Sequence, residues 1–400
     1  MPAKTLTTAR WLAAVALLVL SAAPPQPAVM ATTTTRAPIV FIPGVMGSRL
    51  FNTVDEQERE VWVNLPGALF TSFPELGLAA DGISPAQDDP AYSTIHAKPG
   101  TAGLVTRVLV ADFYETLINH FTQTHGYVES ADFWVYTYDW RKDLRTSADD
   151  LDVLIQNILA QTGASQVSIV AHSLGGLLAR QYLFDPARAA RVGQAVILGT
   201  PFFGTPQAFS ALLDGDCLLG VSPICIPGRQ TIKELVRNYP AFYQIMPSEA
   251  YFAAKGGGFY GVGRGMDVTG PCPDCLSYSQ TYTTSLGSSL NLTLSGQAWQ
   301  FHAALDALAN WNGVPVTVIA GQGKNTLAGI RQRERFWWEV WRSTIIREPQ
   351  YSIAGDGTVT LLSANMSSSY DNPQVRVFNA DHVALVKRPE VLAYMDSALG

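Results

Sequence analysis

The chain has 400 residues, 47% of them hydrophobic and only 15% charged, with 33 glycines and 24 prolines, a composition that excludes a disordered protein. Thirty-three acidic against 27 basic residues give a net charge of −6, so the basic surface that a phosphate backbone requires is missing and nucleic acid is excluded as a partner. At this length one large α/β domain with insertions, or two ordinary domains, are both open.

Residues 1–28 read as an export signal, because Lys4 and Arg10 precede an apolar core from Trp11 to Leu20 and then Ser21, Ala22 and Ala23. Cleavage falls between residues 23 and 31. The apolar stretch is shorter than the roughly 20 residues of a spanning helix, so the mature chain is expected to be secreted or periplasmic with no transmembrane segment. No cysteine lies near the cleavage region, which excludes a lipid-anchored product.

After a Pro- and Thr-rich linker, Pro38–Pro43 is a continuous apolar run of the kind found in buried parallel strands. Residues 111–125 suit a helix, and Phe133–Tyr138 is a strand by its aromatic and β-branched content. The next helix is the clearest: Ser147 is placed to cap it with Asp150 three residues on. Leu151, Leu154, Ile155 and Ile158 form one face, and Gly163 ends it. A strand over Gln166–Ala171 runs into a helix that reaches Phe184, and another strand follows at Ala195–Leu198. Strands alternating with helices predict a mostly parallel sheet covered on both faces.

The alternation stops at Pro201. Residues 201–312 hold all four cysteines, a Gly-rich run and Ser/Thr-rich loops, and the pattern resumes at Val314–Ala320. The chain therefore divides into a first core part, 36–200, a cap or lid insertion, 201–312, and a second core part, 313–400. In an oxidising compartment Cys217, Cys225, Cys272 and Cys275 would pair; proximity favours Cys217 with Cys225 and Cys272 with Cys275 among three connectivities. A structural zinc site is the rival reading of Cys272-Pro-Asp-Cys275, but no second well-spaced pair supports it.

The segment Ile169-Val-Ala-His-Ser173-Leu-Gly175-Gly176 carries the most chemistry. A serine hydroxyl is a poor nucleophile until a base takes its proton. A sharp strand-to-helix turn, with small residues two before and two after the serine, presents it to that base. Ala171 and Gly175 are those small residues, and Ser173 is the expected nucleophile. In this arrangement the acid and the histidine follow in chain order. Only His302 and His382 lie after Ser173. His302 falls in the insertion, whereas His382 follows the apolar stretch Val375–Phe378 and is the expected base. Asp356, flanked by Gly355 and Gly357, is the leading acid, with Asp371, Asp381 and Glu339 as alternatives. The oxyanion would be met by the backbone N–H of Leu174 and by one from the loop Pro43-Gly-Val-Met-Gly-Ser48, Val45 first and Met46 next.

Together these motifs resemble the family of lecithin:cholesterol acyltransferase, lysosomal phospholipase A2 and the phospholipid:diacylglycerol acyltransferases. The matching pieces are Phe41-Ile-Pro-Gly-Val-Met-Gly-Ser-Arg-Leu50, Tyr138-Asp-Trp-Arg141, Ala171-His-Ser-Leu-Gly-Gly176, Gly199-Thr-Pro-Phe-Phe-Gly-Thr-Pro206, Gly355-Asp-Gly-Thr-Val359 and Asp381-His382. The resemblance implies an α/β-hydrolase with a membrane-binding subdomain and lid, and a triad of Ser173, Asp356 and His382. It also implies acyl transfer from a glycerolipid to water or an alcohol. The family's short cysteine-closed loop after the first strand is absent here, in the stretch containing Trp62. Asp139 and Arg141 suit a structural role in positioning a loop near the site.

No cofactor or metal is expected. Gly321-Gln-Gly323-Lys324 has one residue between its glycines where a phosphate loop has four. Asp214-Gly-Asp216 is too short for a calcium loop. The run Phe336–Trp341 reads as a hairpin with one buried face, or as a peripheral lipid contact. The leading function is a secreted serine acyl hydrolase or acyltransferase on lipid esters; a triacylglycerol lipase or general carboxylesterase is the alternative. An inactive lipid-binding module on the same scaffold is the reading outside enzymes.

Overall fold

The computed structural model describes residues 36–54, 57–63, 74–87, 95–215, 228–262, 275–283, 290–308, 310–337, 342–365 and 374–400. These lie in one unit spanning Thr32–Gly400. The export segment, Cys217, Cys225, Cys272, Glu339 and Asp371 lie outside the described residues; Cys275, which is described, is disulfide-bonded. Among the described residues no helix is long and apolar enough to cross a membrane.

The continuous apolar runs form the centre of a six-stranded sheet. In chain order its strands are β1 (Ile39–Ile42), β2 (Phe133–Val135), β3 (Val167–His172), β4 (Val192–Leu198), β5 (Val316–Gly321) and β6 (Gln374–Phe378). Across the sheet the order is β6-β5-β4-β3-β1-β2, every pair parallel. All four residues of β1 and all six of β3 are buried, as a strand covered on both faces must be, and this is why they read as unbroken hydrophobic runs instead of alternating.

The structure corrects three boundaries. The second strand stops at Val135: the Tyr136 N–H still donates to the Phe41 carbonyl of β1 at 2.8 Å, but the Tyr136 and Tyr138 hydroxyls donate to the carbonyls of Ser147 and Pro43, at 2.7 and 3.0 Å. The long helix α2 (Leu144–Thr162) starts a turn before Ser147, capped instead by Asp143. That carboxylate accepts the Arg145 N–H at 2.9 Å and the Gln244 amide at 2.8 Å, which leaves Ser147 buried inside the helix. Leu151, Ile155 and Ile158, at most 1% exposed, each contribute about 1.5–3 kcal/mol by burial. Gly163 ends the helix with φ of 71°. Ahead of it, the helix expected over 111–125 begins only at α1 (Glu115–Asn119) and then widens into a π-helical turn at His120–Thr124.

The 201–312 stretch is, in its described residues, largely helical rather than looped. It contains α4 (Pro206–Asp214), after the elbow helix α3 (Leu174–Leu183), then helices at Arg229–Val236, Pro240–Gln244, Glu249–Lys255 and Tyr278–Thr283, and the longest at Leu292–Ala307. Thr205, Ser248 and Asn291 accept N-terminal amides as caps. Its aromatics extend the main core that packs on the sheet: Phe209 meets Phe259, Tyr260 and Tyr282 edge-on with centroids 4.9–5.7 Å apart. Phe252, Phe259 and Tyr260 are buried, and Trp299 is half exposed. Between β5 and Asp356 the chain makes a long antiparallel hairpin, β7 (Thr326–Trp337) with β8 (Arg342–Ser352), in which Trp337 pairs with Arg342.

Candidate active site

The strand order reverses between β1 and β3: the chain runs from β1 to β2 on one side, then returns to place β3 on the other. Loops leaving such strands at their carboxyl ends part in opposite directions and open a crevice there. The loop after β1 and Ser173 after β3 face each other across that crevice. Gly44 lies so close that a Cβ on it would sit 2.8 Å from the Cβ of Ser173, and a Cβ on Gly175 would collide with the carbonyls of Ile42 and Pro43. Glycine at these two positions is what allows strand and elbow to touch.

Ser173 has φ of 55° and ψ of −125°, a conformation disfavoured for an L residue. Its backbone is pinned on both sides. Its N–H donates to the Leu198 carbonyl at 2.8 Å and its carbonyl accepts from the Thr200 hydroxyl at 2.9 Å. The turn aims Oγ out of the sheet at the Nε2 of His382, 2.9 Å away.

The opposite nitrogen of that ring, Nδ1, lies 2.7 Å from Asp356 Oδ2. Asp356 is 1% exposed, and its other oxygen accepts the backbone N–H groups of Thr358 and Val359 at 2.9 and 2.7 Å. The glycine-flanked turn thus orients its own carboxylate, and the His382 N–H donates to the Asp356 carbonyl at 2.9 Å. Asp381 points elsewhere, capping the next turn by accepting the Ala384 N–H. His302 stands apart in the 201–312 stretch, with its Nε2 on the Gln244 carbonyl, and burial holds its imidazole below the usual range.

Two groups with no sequence signal of their own tie these parts together. Tyr114, at the start of α1, accepts the Gly44 N–H at 2.9 Å and lies 2.9 Å from Nδ1 of His172. Nε2 of His172 lies 3.1 Å from the His382 carbonyl. Burial, reinforced by the adjacent His382 ring, holds His172 well below the usual histidine range, so the ring is neutral. Facing a carbonyl, Nε2 carries its proton, so Nδ1 accepts from the Tyr114 hydroxyl. A single chain of hydrogen bonds then runs from the loop after β1, through Tyr114 and His172, to the backbone of His382. Tyr114→Phe should lower kcat about tenfold, the equivalent of about 1.4 kcal/mol for an orphaned buried N–H and imidazole, with KM nearly unchanged. Steady-state kinetics on a soluble ester would show this, and an unaltered kcat would remove Tyr114 from the positioning of the site.

The loop after β1 is braced from below. Trp62 Nε1 donates to the Met46 carbonyl, Trp140 Nε1 to the Ser48 carbonyl and the Tyr138 hydroxyl to the Pro43 carbonyl, at 3.0–3.1 Å. Burial pushes the Asp139 carboxyl up, but the Arg141 charge and hydrogen bonds outweigh it and hold the group below its ordinary value. The pair makes two bonds at 2.7–2.8 Å, and Arg141 also donates to the Leu76 carbonyl. Tyr138, Asp139, Trp140 and Arg141 act as a bracket and do not line the crevice. Above them Met46, Trp62, Phe113, Phe242, Ile245 and Val383 surround Ser173 and His382 in a mainly apolar cleft of about 170 Å³. Val45 and the positive-φ residue Met46 line the same cleft.

The profile of the lecithin:cholesterol acyltransferase family matches residues 105–259, a stretch that includes Ser173 but neither Asp356 nor His382. Phospholipase A(1) LCAT3 of Arabidopsis thaliana is 28% identical over 130 residues, 30% of this chain and 28% of that protein, so the match spans well under half of that relative's length. Among solved structures, the Tle4-Tli4 complex superposes with a TM-score of 0.60 at 16% identity, over 90% of this chain and 97% of that one. At this identity the likeness speaks for the fold, which is that of the α/β-hydrolases.

Proposed function

We propose that this chain, which resembles the lecithin:cholesterol acyltransferase family within the α/β-hydrolase superfamily, cleaves lipid esters, phospholipid or acylglycerol, with Ser173 as nucleophile, His382 as base and Asp356 as the acid that orients it. Ser173 Oγ attacks the ester carbonyl carbon while its proton passes to His382 Nε2. Asp356 stabilises the imidazolium across the 2.7 Å contact. The amides of Leu174 and Val45 serve the tetrahedral oxyanion. Collapse breaks the bond to the alcohol, which leaves with the proton from Nε2. Water or a second alcohol then gives its proton to Nε2 as it attacks the acyl carbon, and collapse frees the product while Nε2 returns the proton to Ser173 Oγ.

The observation that carries this reading is the unbroken line from Asp356 Oδ2 through both nitrogens of His382 to Ser173 Oγ. An inactive binding module has no use for that alignment. The apolar cleft suits an acyl chain, and the export-like residues 1–28 support a secreted or periplasmic setting. The test offers labelled phospholipid and labelled triacylglycerol, each with and without a long-chain alcohol, and resolves the products. A fluorophosphonate adduct is mapped by mass spectrometry in parallel. We expect fatty acid or a new ester, and label on Ser173. A well-folded protein that releases neither product and takes no label would overturn the proposal.

Lipid, rather than a soluble ester, is favoured by the rim of the cleft. Val108 lines it, and in the turn that follows Leu109 and Val110 are 79% and 90% exposed. Large apolar residues standing free at the mouth of an acyl site suit contact with an aggregated substrate. The double variant Leu109→Ser, Val110→Ser should reduce turnover of vesicle-borne lipid about tenfold, since each side chain loses part of the roughly 1.5–3 kcal/mol of its burial. Hydrolysis of a short soluble ester should be unchanged, and equal loss on both substrates would exclude an interfacial role.

A further inference from the structure

Away from the crevice, three side chains with metal-ligating atoms converge where the π-helical turn meets the C-terminal helix. On an α-helix two residues five apart point about 140° away from each other. The chain at His120–Thr124 is wound as a π-turn, closed by the His125 N–H on the His120 carbonyl at 3.1 Å, and this brings His120 and His125 to one side with ring centroids 4.6 Å apart. Both Nε2 atoms face the same carboxylate: His120 Nε2 lies 2.8 Å from Asp396 Oδ1 and His125 Nε2 lies 3.2 Å from Asp396 Oδ2. The three ligand atoms fall within 4.8 Å of one another. Asp396 is carried by the helix Pro389–Leu399, 276 residues from His120 in sequence.

We propose that His120, His125 and Asp396 form a site for a divalent cation of the Zn²⁺ class, separate from ester cleavage. Two imidazole nitrogens and one carboxylate oxygen are the donor set of zinc, cobalt or nickel and are foreign to magnesium and calcium, which take oxygen ligands. His120 is largely covered while His125 is 38% exposed, so the cation enters from solvent, keeps a water on its open side and leaves the fold undisturbed when absent. The cation would replace the two direct contacts to Asp396 by bonds from all three residues. That clips the C-terminal helix to the π-turn, the continuation of the helix that begins beside Tyr114. Arg36 nearby donates to the His125 and Gly126 carbonyls, and its charge is matched by Asp132 at 2.6 Å.

The test is calorimetric titration of the full chain with ZnCl₂, repeated with Co²⁺ to follow its visible ligand-field bands, beside a Mg²⁺ titration. We expect one saturable Zn²⁺ site per chain, no Mg²⁺ site, and a thermal midpoint that rises with zinc and falls with a chelator. His125→Ala, at a half-exposed position, and the near-isosteric Asp396→Asn should each weaken binding at least about 100-fold, the upper range seen for loss of even an outer-shell partner. Circular dichroism of both variants should match the wild type. No saturable binding by the wild type, or wild-type affinity in either folded variant, would overturn the site, whatever the fate of the esterase reading.

Discussion

Replacing Ser173 by alanine should lower ester cleavage about 10⁶-fold, the scale of removing the nucleophile from an assembled triad. The change deletes one oxygen whose hydrogen-bond partner among the described residues is His382 Nε2, so the folded protein should keep its thermal midpoint. The more discriminating measurement is the combination with His382→Ala. If the two act as one unit, the double variant is no slower than either single variant, because a base without a nucleophile has nothing left to lose. Multiplicative losses would mean that Ser173 and His382 serve separate steps, and retained activity in Ser173→Ala would end the proposal.

The second large effect belongs to Asp356→Asn, expected to lower kcat about 10⁴-fold with little change in KM. The structure supplies the reason. One carboxylate oxygen accepts the N–H groups of Thr358 and Val359, and that position can be filled by the carbonyl oxygen of an asparagine but not by its NH₂. The amide nitrogen is then forced toward His382 Nδ1, which must accept. The ring's proton moves to Nε2, where it points at Ser173 and blocks proton removal. A variant that folds normally, retains substrate binding and is slow at every accessible pH is the expected result. Activity within tenfold of the wild type would transfer the acid's role elsewhere.

How legible the molecule is in its sequence depends on the range of the interaction. Ile39–Ile42 and Val167–His172 are readable because full burial on both faces leaves an unbroken apolar run. The elbow is readable because its steric demands fall within a few residues of Ser173. Ser173, Asp356 and His382, each nominated from local context, stand within hydrogen-bond reach of one another. The first turn of the Leu144–Thr162 helix misleads because Ser147 and Asp150 imitate a cap, while the tether that moves the start to Asp143 comes from Gln244, far along the chain. In 201–312 five of the described helices run only five to nine residues, and the longest, Leu292–Ala307, has no single apolar face, so the 3.6 period is hard to follow there, although Thr205, Ser248 and Asn291 mark three of the starts. Tyr114 is invisible in sequence, since its partners Gly44 and His172 lie 70 and 58 residues away.

That dependence on distant partners also governs how the molecule acquires activity. Ser173 and His382 are 209 residues apart, whereas Asp356 and His382 are separated by only 26. Closing so long a loop between parallel strands is slow and comes after local structure has formed. A molecule part-way through folding can therefore hold a finished elbow, with Ser173 already strained and aimed, and still be inert, because the loop bearing His382 has not docked. If the proposed triad is the working site, recovery of ester cleavage after dilution from denaturant should lag burial of the core and report completion of the native state more faithfully than that burial does.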